Sequence, residues 1–190
     1  MPQPPGGVKG LCREVGDTVQ GRDWGKRLPT LAWFRDRISS TSPAMRIAVI
    51  SDTHDRYPAG LPERLRGADE IWHLGDVCAP ETLVEFLQLG PPLRLVMGNC
   101  DAEPGWPLTL DLRREGLRFH LVHIPPARAP KHADFVLHGH THVPRDETDA
   151  AGVRWLNPGC ITRPNRGAPA SYAWLTINRA GPLVWEIVRV

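Results

Sequence analysis

The residues of this chain that could do chemistry lie in five short segments containing carboxylate, imidazole or amide side chains. The segments are Asp52-Thr53-His54, Gly75-Asp76, Gly98-Asn99-Cys100-Asp101, His123 and Gly139-His140-Thr141-His142. Oxygen and imidazole ligands without thiolate suit manganese, iron, nickel or zinc better than magnesium alone. Two such ions about 3.5 to 4 Å apart lower the pKa of a shared water and neutralise phosphoryl oxygens. This order of residue types therefore indicates a two-metal site that hydrolyses a phosphate ester.

Each segment follows a short apolar run, so the strands of one fold could deliver all of them to one place. Residues 47–50, Ile-Ala-Val-Ile, are typical of a strand that is buried on both faces. Open α/β sheets bind ligands beyond the carboxyl ends of their strands, which predicts that the segments converge. Side chains at i and i+2 of a strand share one side. We therefore expect Asp52 and His54 to reach one ion, and His140 and His142 to do likewise.

Three further side chains complete the predicted site. Asp76 follows Gly75, a residue that permits close backbone approach, so its carboxylate is expected to bridge two cations. Asn99 can supply a neutral carbonyl oxygen. Arg163 follows the Asn-Pro-Gly-Cys sequence of residues 157–160 and is a candidate for substrate binding, because a guanidinium can donate two hydrogen bonds to phosphate.

The pattern from Met45 onward predicts an α/β fold in which two sheets pack face to face as a sandwich, with helices outside. Helices are predicted over residues 59–67 and 80–90, the second with Leu83, Val84, Phe86 and Leu87 facing inward. Strands are predicted at residues 47–50, 71–74, 93–97, 108–112, 119–123, 134–137, 153–156, 172–177 and 183–188.

Residues 1–44 differ from the rest because proline and glycine interrupt any regular pattern. We predict a flexible N-terminal extension there, with a true translation start at Met45 as the alternative. Residues 45–190 are then expected to carry the whole domain.

Composition excludes several partners. The formal net charge of +2 is too small to indicate nucleic-acid or membrane-surface binding. The four cysteines include no Cys-x-x-Cys pair and follow no secretory signal, which predicts a reducing, cytoplasmic location. No apolar stretch approaches the roughly 18 to 20 residues that span a bilayer. The expected partner is a small phosphoester, and the oligomeric state stays open.

The motif series resembles the calcineurin-like metallophosphoesterase superfamily, most closely its small bacterial and archaeal phosphodiesterase branch. The resemblance covers roughly residues 45–190 and includes the Gly-Asn-Cys-Asp form of residues 98–101 and the Asn-Pro-Gly-Cys of residues 157–160. It implies a four-layer α/β/β/α fold and two divalent ions, with manganese expected and iron, nickel or zinc as alternatives.

The resemblance also assigns roles to individual residues. It implies that one metal is held by Asp52, His54 and His142, and the other by Asn99, His123 and His140. Asp76 would bridge the two, so that Asp76 and Asn99 serve catalysis through the metals and a bridging hydroxide that attacks phosphorus.

Three features depart from the family pattern. Cys100 stands where many members carry a histidine thought to assist the leaving group, which leaves no obvious general acid. Ile124 follows His123 where the family usually has glycine. The stretch from His123 to Asp134 is short and rich in proline, so any lid over the site is reduced.

Two other functions remain alternatives. One is a phosphomonoesterase or nucleotide-polyphosphate hydrolase, which the missing histidine disfavours. The other is a non-catalytic protein-binding scaffold like the retromer subunit that this branch also resembles, which the retention of all seven ligands disfavours. The remaining histidines are predicted to be packing or surface residues, with His73 able to orient Asp76; they are His73, His120, His132 and His138.

Overall fold

The computed structural model describes residues 44–179 and 181–190. The extension predicted for residues 1–44 lies outside this range except for Ala44, so it stays a prediction. The strands are β1 Met45–Ile50, β2 Glu70–His73, β3 Leu93–Leu95, β4 Thr109–Arg114, β5 Leu117–Val122, β6 Phe135–Leu137, β7 Arg145–Thr148, β8 Arg154–Asn157, β9 Ser171–Ile177 and β10 Val184–Arg189. The helices are α1 Leu61–Arg64, a 3₁₀ turn Pro80–Leu83 and α2 Val84–Gln88.

The strands form two mixed sheets of five strands each. The first has the order β10-β9-β1-β2-β3, with β1, β2 and β3 parallel and β9 antiparallel to both of its neighbours. The second has the order β4-β5-β6-β8-β7, with β5, β6 and β8 parallel. The predicted α/β fold with a two-sheet core is confirmed.

The two sheets bury a shared apolar layer between them. Ile47, Val49 and Trp72 of the first sheet pack with Phe119 and Leu121 of the second. The alternate residues of β1 face the opposite way, into a second cluster with the helices. β1 is therefore covered on both faces, as its apolar run predicts.

The helices are shorter than predicted and present fewer side chains to the sheet. α1 is a single turn, and the segment predicted over residues 80–90 divides into the 3₁₀ turn and α2. Leu83 and Phe86 are buried, but Val84 is 48% and Leu87 59% exposed, so the inward placement of the last two was wrong. The 3₁₀ turn and α2 each contain only about one helical turn. Together they can direct one pair of residues with i, i+3 spacing, Leu83 and Phe86, toward the sheet.

The outer face of the second sheet is covered by a loop. Within the described residues, both α-helices and the 3₁₀ turn pack on the first sheet. On the second sheet, Ala129 and Ala133 of segment 124–134 contact Val136 and Trp155. Pro125, Pro126 and Pro130 remove backbone donors from this segment and oppose helix formation.

Strand β7 was not predicted. Its sequence is Arg-Asp-Glu-Thr, and it lies at the edge of the second sheet with its side chains largely exposed. An edge strand that exposes both faces to solvent lacks the alternation of apolar and polar residues by which strands are predicted. No helix among the described residues has the length and apolar character needed to cross a membrane.

Phe86→Ala tests which helix face is buried. Because Phe86 is completely buried, its truncation should lower the free energy of unfolding by about 3 to 5 kcal/mol. The exposed neighbour Leu87 provides the matched control, and Leu87→Ala should change it by less than about 0.5 kcal/mol. Urea unfolding measures both, and equal losses would contradict the observed orientation of α2.

Candidate metal centre

The five motif segments come after strand ends and meet at one edge of the sandwich. They lie directly beyond β1, β2, β3, β5 and β6. Backbone hydrogen bonds join the first two segments, from Asp52 N–H to the Gly75 carbonyl and from His54 N–H to the Asp76 carbonyl, each at 3.0 Å. The His140 N–H donates to Asp52 Oδ2 at 3.2 Å and so links the two sheets. The predicted convergence is therefore observed.

The backbone of these segments is not extended. Five of the seven predicted ligands have left-handed φ angles between 44° and 66°, namely Asp52, His54, Asp76, His140 and His142. These residues lie beyond the strand ends, so strand alternation was the wrong reason to expect Asp52 and His54 near one ion, although their ligand atoms do lie in one group. A left-handed non-glycine residue costs about 1 to 2 kcal/mol. Such costs concentrate at functional sites, where tertiary contacts hold the unusual conformation.

Asp52, His54 and His142 form the first group. One ligand atom from each lies within 4.8 Å of the others. His142 Nε2 is 3.1 Å from Asp52 Oδ1 and 3.4 Å from His54 Nε2. The Nδ1–H of His142 donates to the Arg163 carbonyl at 2.5 Å. This contact orients the ring and leaves Nε2 of the neutral ring as the atom free to bind a metal.

Asn99, His123 and His140 form the second group. Asn99 Oδ1 lies 3.1 Å from His123 Nε2 and 2.8 Å from His140 Nδ1. The Nδ1–H of His123 donates to the Leu74 carbonyl at 2.7 Å. Burial opposes a charge on His123, but contacts with the Asp76 carboxylate and the Leu74 carbonyl raise its pKa above the usual value. The pocket therefore favours positive charge at Nε2, which a proton or a metal ion could supply.

The histidine pair at residues 140 and 142 is divided between the two groups. His140 faces Asn99, whereas His142 faces Asp52. The expectation from i, i+2 spacing, which would send both to one ion, was wrong. The division agrees with the assignment that the family resemblance implies.

Asp76 lies between the groups. Its Oδ1 is 3.3 Å from His123 Nε2, and its Oδ2 is 3.8 Å from His54 Nε2. Burial opposes ionisation of Asp76, but hydrogen bonds from His123 and from the Cys100 backbone N–H hold its pKa below the usual range. One carboxylate oxygen thus faces each group, which is the geometry a bridging ligand needs.

The first group contains a buried oxygen that fits a cation. Asp52 Oδ1 has no hydrogen-bond partner among the described residues, and burial raises the pKa of Asp52. When His142 carries its proton on Nδ1, its Nε2 lone pair faces this oxygen at 3.1 Å. Two electron-rich atoms this close are stabilised by a positive ion between them. The residues present therefore fit a divalent metal.

Several supporting residues were missed by the sequence prediction. Asp101 accepts hydrogen bonds from the backbone N–H groups of Asp76, Cys78 and Gly98 at 2.7 to 3.0 Å. Asn157 donates to the Gly139 carbonyl at 2.9 Å. Asp101 lies in the motif of residues 98–101, and Asn157 lies in that of residues 157–160. Membership of these motifs was the only sequence feature that pointed to a role for either residue. Which backbone groups they hold depends on loop conformation.

The other predicted side chains take peripheral positions. The Gly75 N–H donates to His73 Nδ1 at 3.2 Å, and His73 Nε2 lies 3.1 Å from Thr53 Oγ1. His73 thus holds the backbone beside Asp76, with no direct contact to the carboxylate. Arg163 is exposed, and its charge lies close enough to His54 to help lower the pKa of that ring, after the larger effect of burial.

The cysteines near the centre are not activated. Cys78 Sγ is 3.6 Å from His54 Nδ1, and burial raises the Cys78 pKa to about 12. Cys100 is exposed, but partial desolvation and the nearby Asp76 carboxylate raise its pKa. His54, Cys78 and Cys100 also lie close enough together to hold an ion, but His54 belongs as well to the group with Asp52 and His142. The oxygen and imidazole groups remain the better candidate centre.

Gly98→Ala tests the close packing around Asp76. A Cβ at this position would lie 2.2 Å from both the backbone N and Oδ1 of Asp76. The resulting shift should cost about 1 to 3 kcal/mol of stability and weaken metal binding. The control is Gly105→Ala, because a Cβ there meets no atom within 4 Å. Thermal unfolding and metal titration measure both variants, and identical behaviour would contradict the packing.

The His73 ring should stay neutral well below pH 6.5. Burial lowers its pKa from 6.5 to about 4, so between these values the unfolded chain binds a proton that the folded chain does not. His73 therefore contributes stability above pH 6.5 that is lost progressively as the pH falls toward 4. Nitrogen-15 spectra should show a neutral, Nε2-protonated ring at pH 5. A ring that becomes charged near pH 6.5 would contradict this.

The chain is similar to known phosphoesterases in sequence and in fold. Residues 45–180 match the model of the calcineurin-like phosphoesterase superfamily domain. The chain is 30% identical to phosphodiesterase YfcE of Escherichia coli over 163 residues, covering 69% of this chain and 87% of that protein. The solved YfcE structure, described as a phosphoesterase, aligns with a TM-score of 0.61 and 29% identity over 69% of this chain and 88% of YfcE.

Another solved structure shares the fold at lower identity. Vps29 of Entamoeba histolytica, solved in complex with Zn²⁺, aligns with a TM-score of 0.61 over 76% of this chain and 98% of Vps29. Its sequence identity is 22%, so it bears on the fold alone.

Proposed function

The chain belongs to the calcineurin-like phosphoesterase superfamily, and on that basis we propose that it hydrolyses phosphodiesters at a dinuclear metal centre formed by its seven converging side chains. Asp52, His54 and His142 would hold one ion, and Asn99, His123 and His140 would hold the other. Asp76, which faces both groups, would be a ligand common to the two.

One observation carries this proposal. The ionised carboxylate of Asp76 is buried between the two ligand groups, with one oxygen directed toward each. The two oxygens lie beside the imidazoles of His54 and His123. Packing alone does not explain a buried anion at this place, because desolvating the charge is costly. Cations on both sides of the carboxylate would offset that cost.

The chain's own residues define what the site can do. Bound divalent ions would supply a water of lowered pKa and would stabilise charge on the phosphoryl oxygens. Asp76 and Asn99 would position these ions, and the exposed Arg163 could donate a hydrogen bond to a phosphoryl oxygen. Asn99 and His140 are exposed, so a substrate can approach from that side.

The site lacks a proton donor at the place where many family members carry one, and this affects which leaving groups it can expel. Cys100 occupies the position where many family members have histidine, and partial desolvation raises its pKa. A neutral, weakly acidic thiol is a poor general acid. Esters with good leaving groups should therefore react best. The similarity to a protein named phosphodiesterase supports a diester as the substrate.

Asp76→Asn tests the centre. Loss of an outer partner of a metal ligand costs about 10- to 100-fold in affinity or activity, so loss of the bridging ligand should lower kcat/KM by more than about 100-fold. The assay is hydrolysis of bis(p-nitrophenyl) phosphate with added Mn²⁺. Asp146→Asn, at an exposed carboxylate on β7, should leave activity unchanged. A fully active Asp76→Asn variant would contradict the proposal.

Metal removal separates the enzyme from the scaffold alternative. Treatment with a chelator should abolish diester hydrolysis, and Mn²⁺ should restore it. p-Nitrophenyl phosphate, a monoester, should react more slowly than the diester under the same conditions. Absence of turnover with every divalent ion would favour a non-catalytic scaffold.

A further inference from the structure

A second cluster of metal-ligating side chains lies apart from the candidate centre. Asp111 on β4 stands directly opposite His120 on β5. The alternate residues of both strands, including Leu110 and Leu121, pack into the layer between the sheets. Asp111 and His120 therefore face outward from the second sheet, where His132 reaches them from segment 124–134.

The three side chains meet at one oxygen. Asp111 Oδ1 lies 2.8 Å from His120 Nδ1 and 2.8 Å from His132 Nε2. One ligand atom of each residue lies within 4.8 Å of the other two. Three separate chain segments thus bring two imidazoles and a carboxylate together, in a ligand set that recurs in zinc and iron proteins.

We propose that Asp111, His120 and His132 form an additional metal site, selective for a borderline divalent ion such as Zn²⁺. The ligand atoms are Asp111 Oδ1, His120 Nδ1 and His132 Nε2, and water completes the coordination. Imidazole nitrogen favours zinc, nickel or copper. Calcium and magnesium need mainly oxygen ligands and are excluded by this set.

The three side chains differ in burial in a way that favours binding of a metal ion. The His120 side chain is 10% exposed, so the sheet holds its ring in place. Asp111 and His132 are 55% and 57% exposed, and their side chains can rotate outward to admit an ion. Only two flexible side chains have to be ordered on binding, which limits the entropy cost.

Nearby positive charge is partly neutralised. Arg113 and Arg118 face each other across β4 and β5, two residues from Asp111 and His120 respectively. Arg118 donates two guanidinium hydrogen bonds to Asp134, at 3.0 Å and 2.5 Å. Its charge is therefore largely compensated. Arg113 remains beside the site and lowers the affinity for any cation, which favours an ion that binds imidazole strongly.

A bound ion would fasten the loop on the outer face of the second sheet. Segment 124–134 begins immediately after His123, a candidate ligand of the main centre, and His132 lies near its other end. Coordination would tie that end to the β4–β5 hairpin. Binding to the folded chain alone would raise the thermal midpoint as the concentration of free metal increases.

The test counts zinc in the untagged full-length protein. After equilibration at a fixed free Zn²⁺ concentration, the bound metal is measured for the parent, Asp111→Asn, His132→Gln and the control Asp146→Asn. Both altered positions in the cluster are exposed, so the fold should persist. The two cluster variants should bind one equivalent less than the parent and the control.

The readout is a difference between proteins, so it does not depend on how many ions the centre at Asp76 holds. Where the lost equivalent is still detectable, its affinity should fall at least about 10-fold. The zinc-induced rise in thermal midpoint should shrink in the same two variants. Equal zinc content and equal midpoint shifts in all four proteins would show that the cluster is only a hydrogen-bond network.

Discussion

The buried, ionised carboxylate of Asp76 is the constraint on which the candidate centre depends. Its side chain is 3% exposed, so its charge must be compensated within the protein. The Cys100 N–H and the His123 imidazole supply part of this compensation. Asp101 holds the adjacent backbone, and glycine at position 98 leaves room for the carboxylate. Divalent ions on either side would complete the balance of charge.

The conformation of the surrounding loops includes features that destabilise the metal-free protein. Left-handed backbone at non-glycine residues is sterically unfavourable. A carboxylate oxygen that faces the lone pair of a ring nitrogen is unfavourable without a cation between them. The fold sustains them because hydrogen bonds between loops, such as Asp52 N–H to the Gly75 carbonyl, fix the backbone. Ligands held in place before the metal arrives lose little entropy when it binds.

The two sheets contribute different members of the centre. Loops of the first sheet carry Asp52, His54, Asp76 and Asn99, and loops of the second carry the three histidines at positions 123, 140 and 142. Neither sheet could form the centre alone. The apolar layer around Trp72 and Phe119 fixes the spacing of the sheets, and therefore also the distances between ligands. On the outer face of the second sheet, a proline-rich loop replaces a helical layer and brings His132 to the cluster with Asp111.

Sequence patterns were sufficient to predict the two-sheet fold and the positions of most strands along the chain, and the family resemblance named the seven candidate ligands. Apolar runs that end in polar residues indicate buried strands and the loops attached to them. These patterns failed for the edge strand β7, for the faces of Val84 and Leu87, and for the role of Asp101, because these depend on neighbours distant in the chain. Only the folded chain reveals that His140 and His142 separate, that Asp76 faces both groups, and that Asp111, His120 and His132 meet. Periodicity describes a strand only up to its last residue, whereas the loops beyond take their shape from hydrogen bonds to other loops.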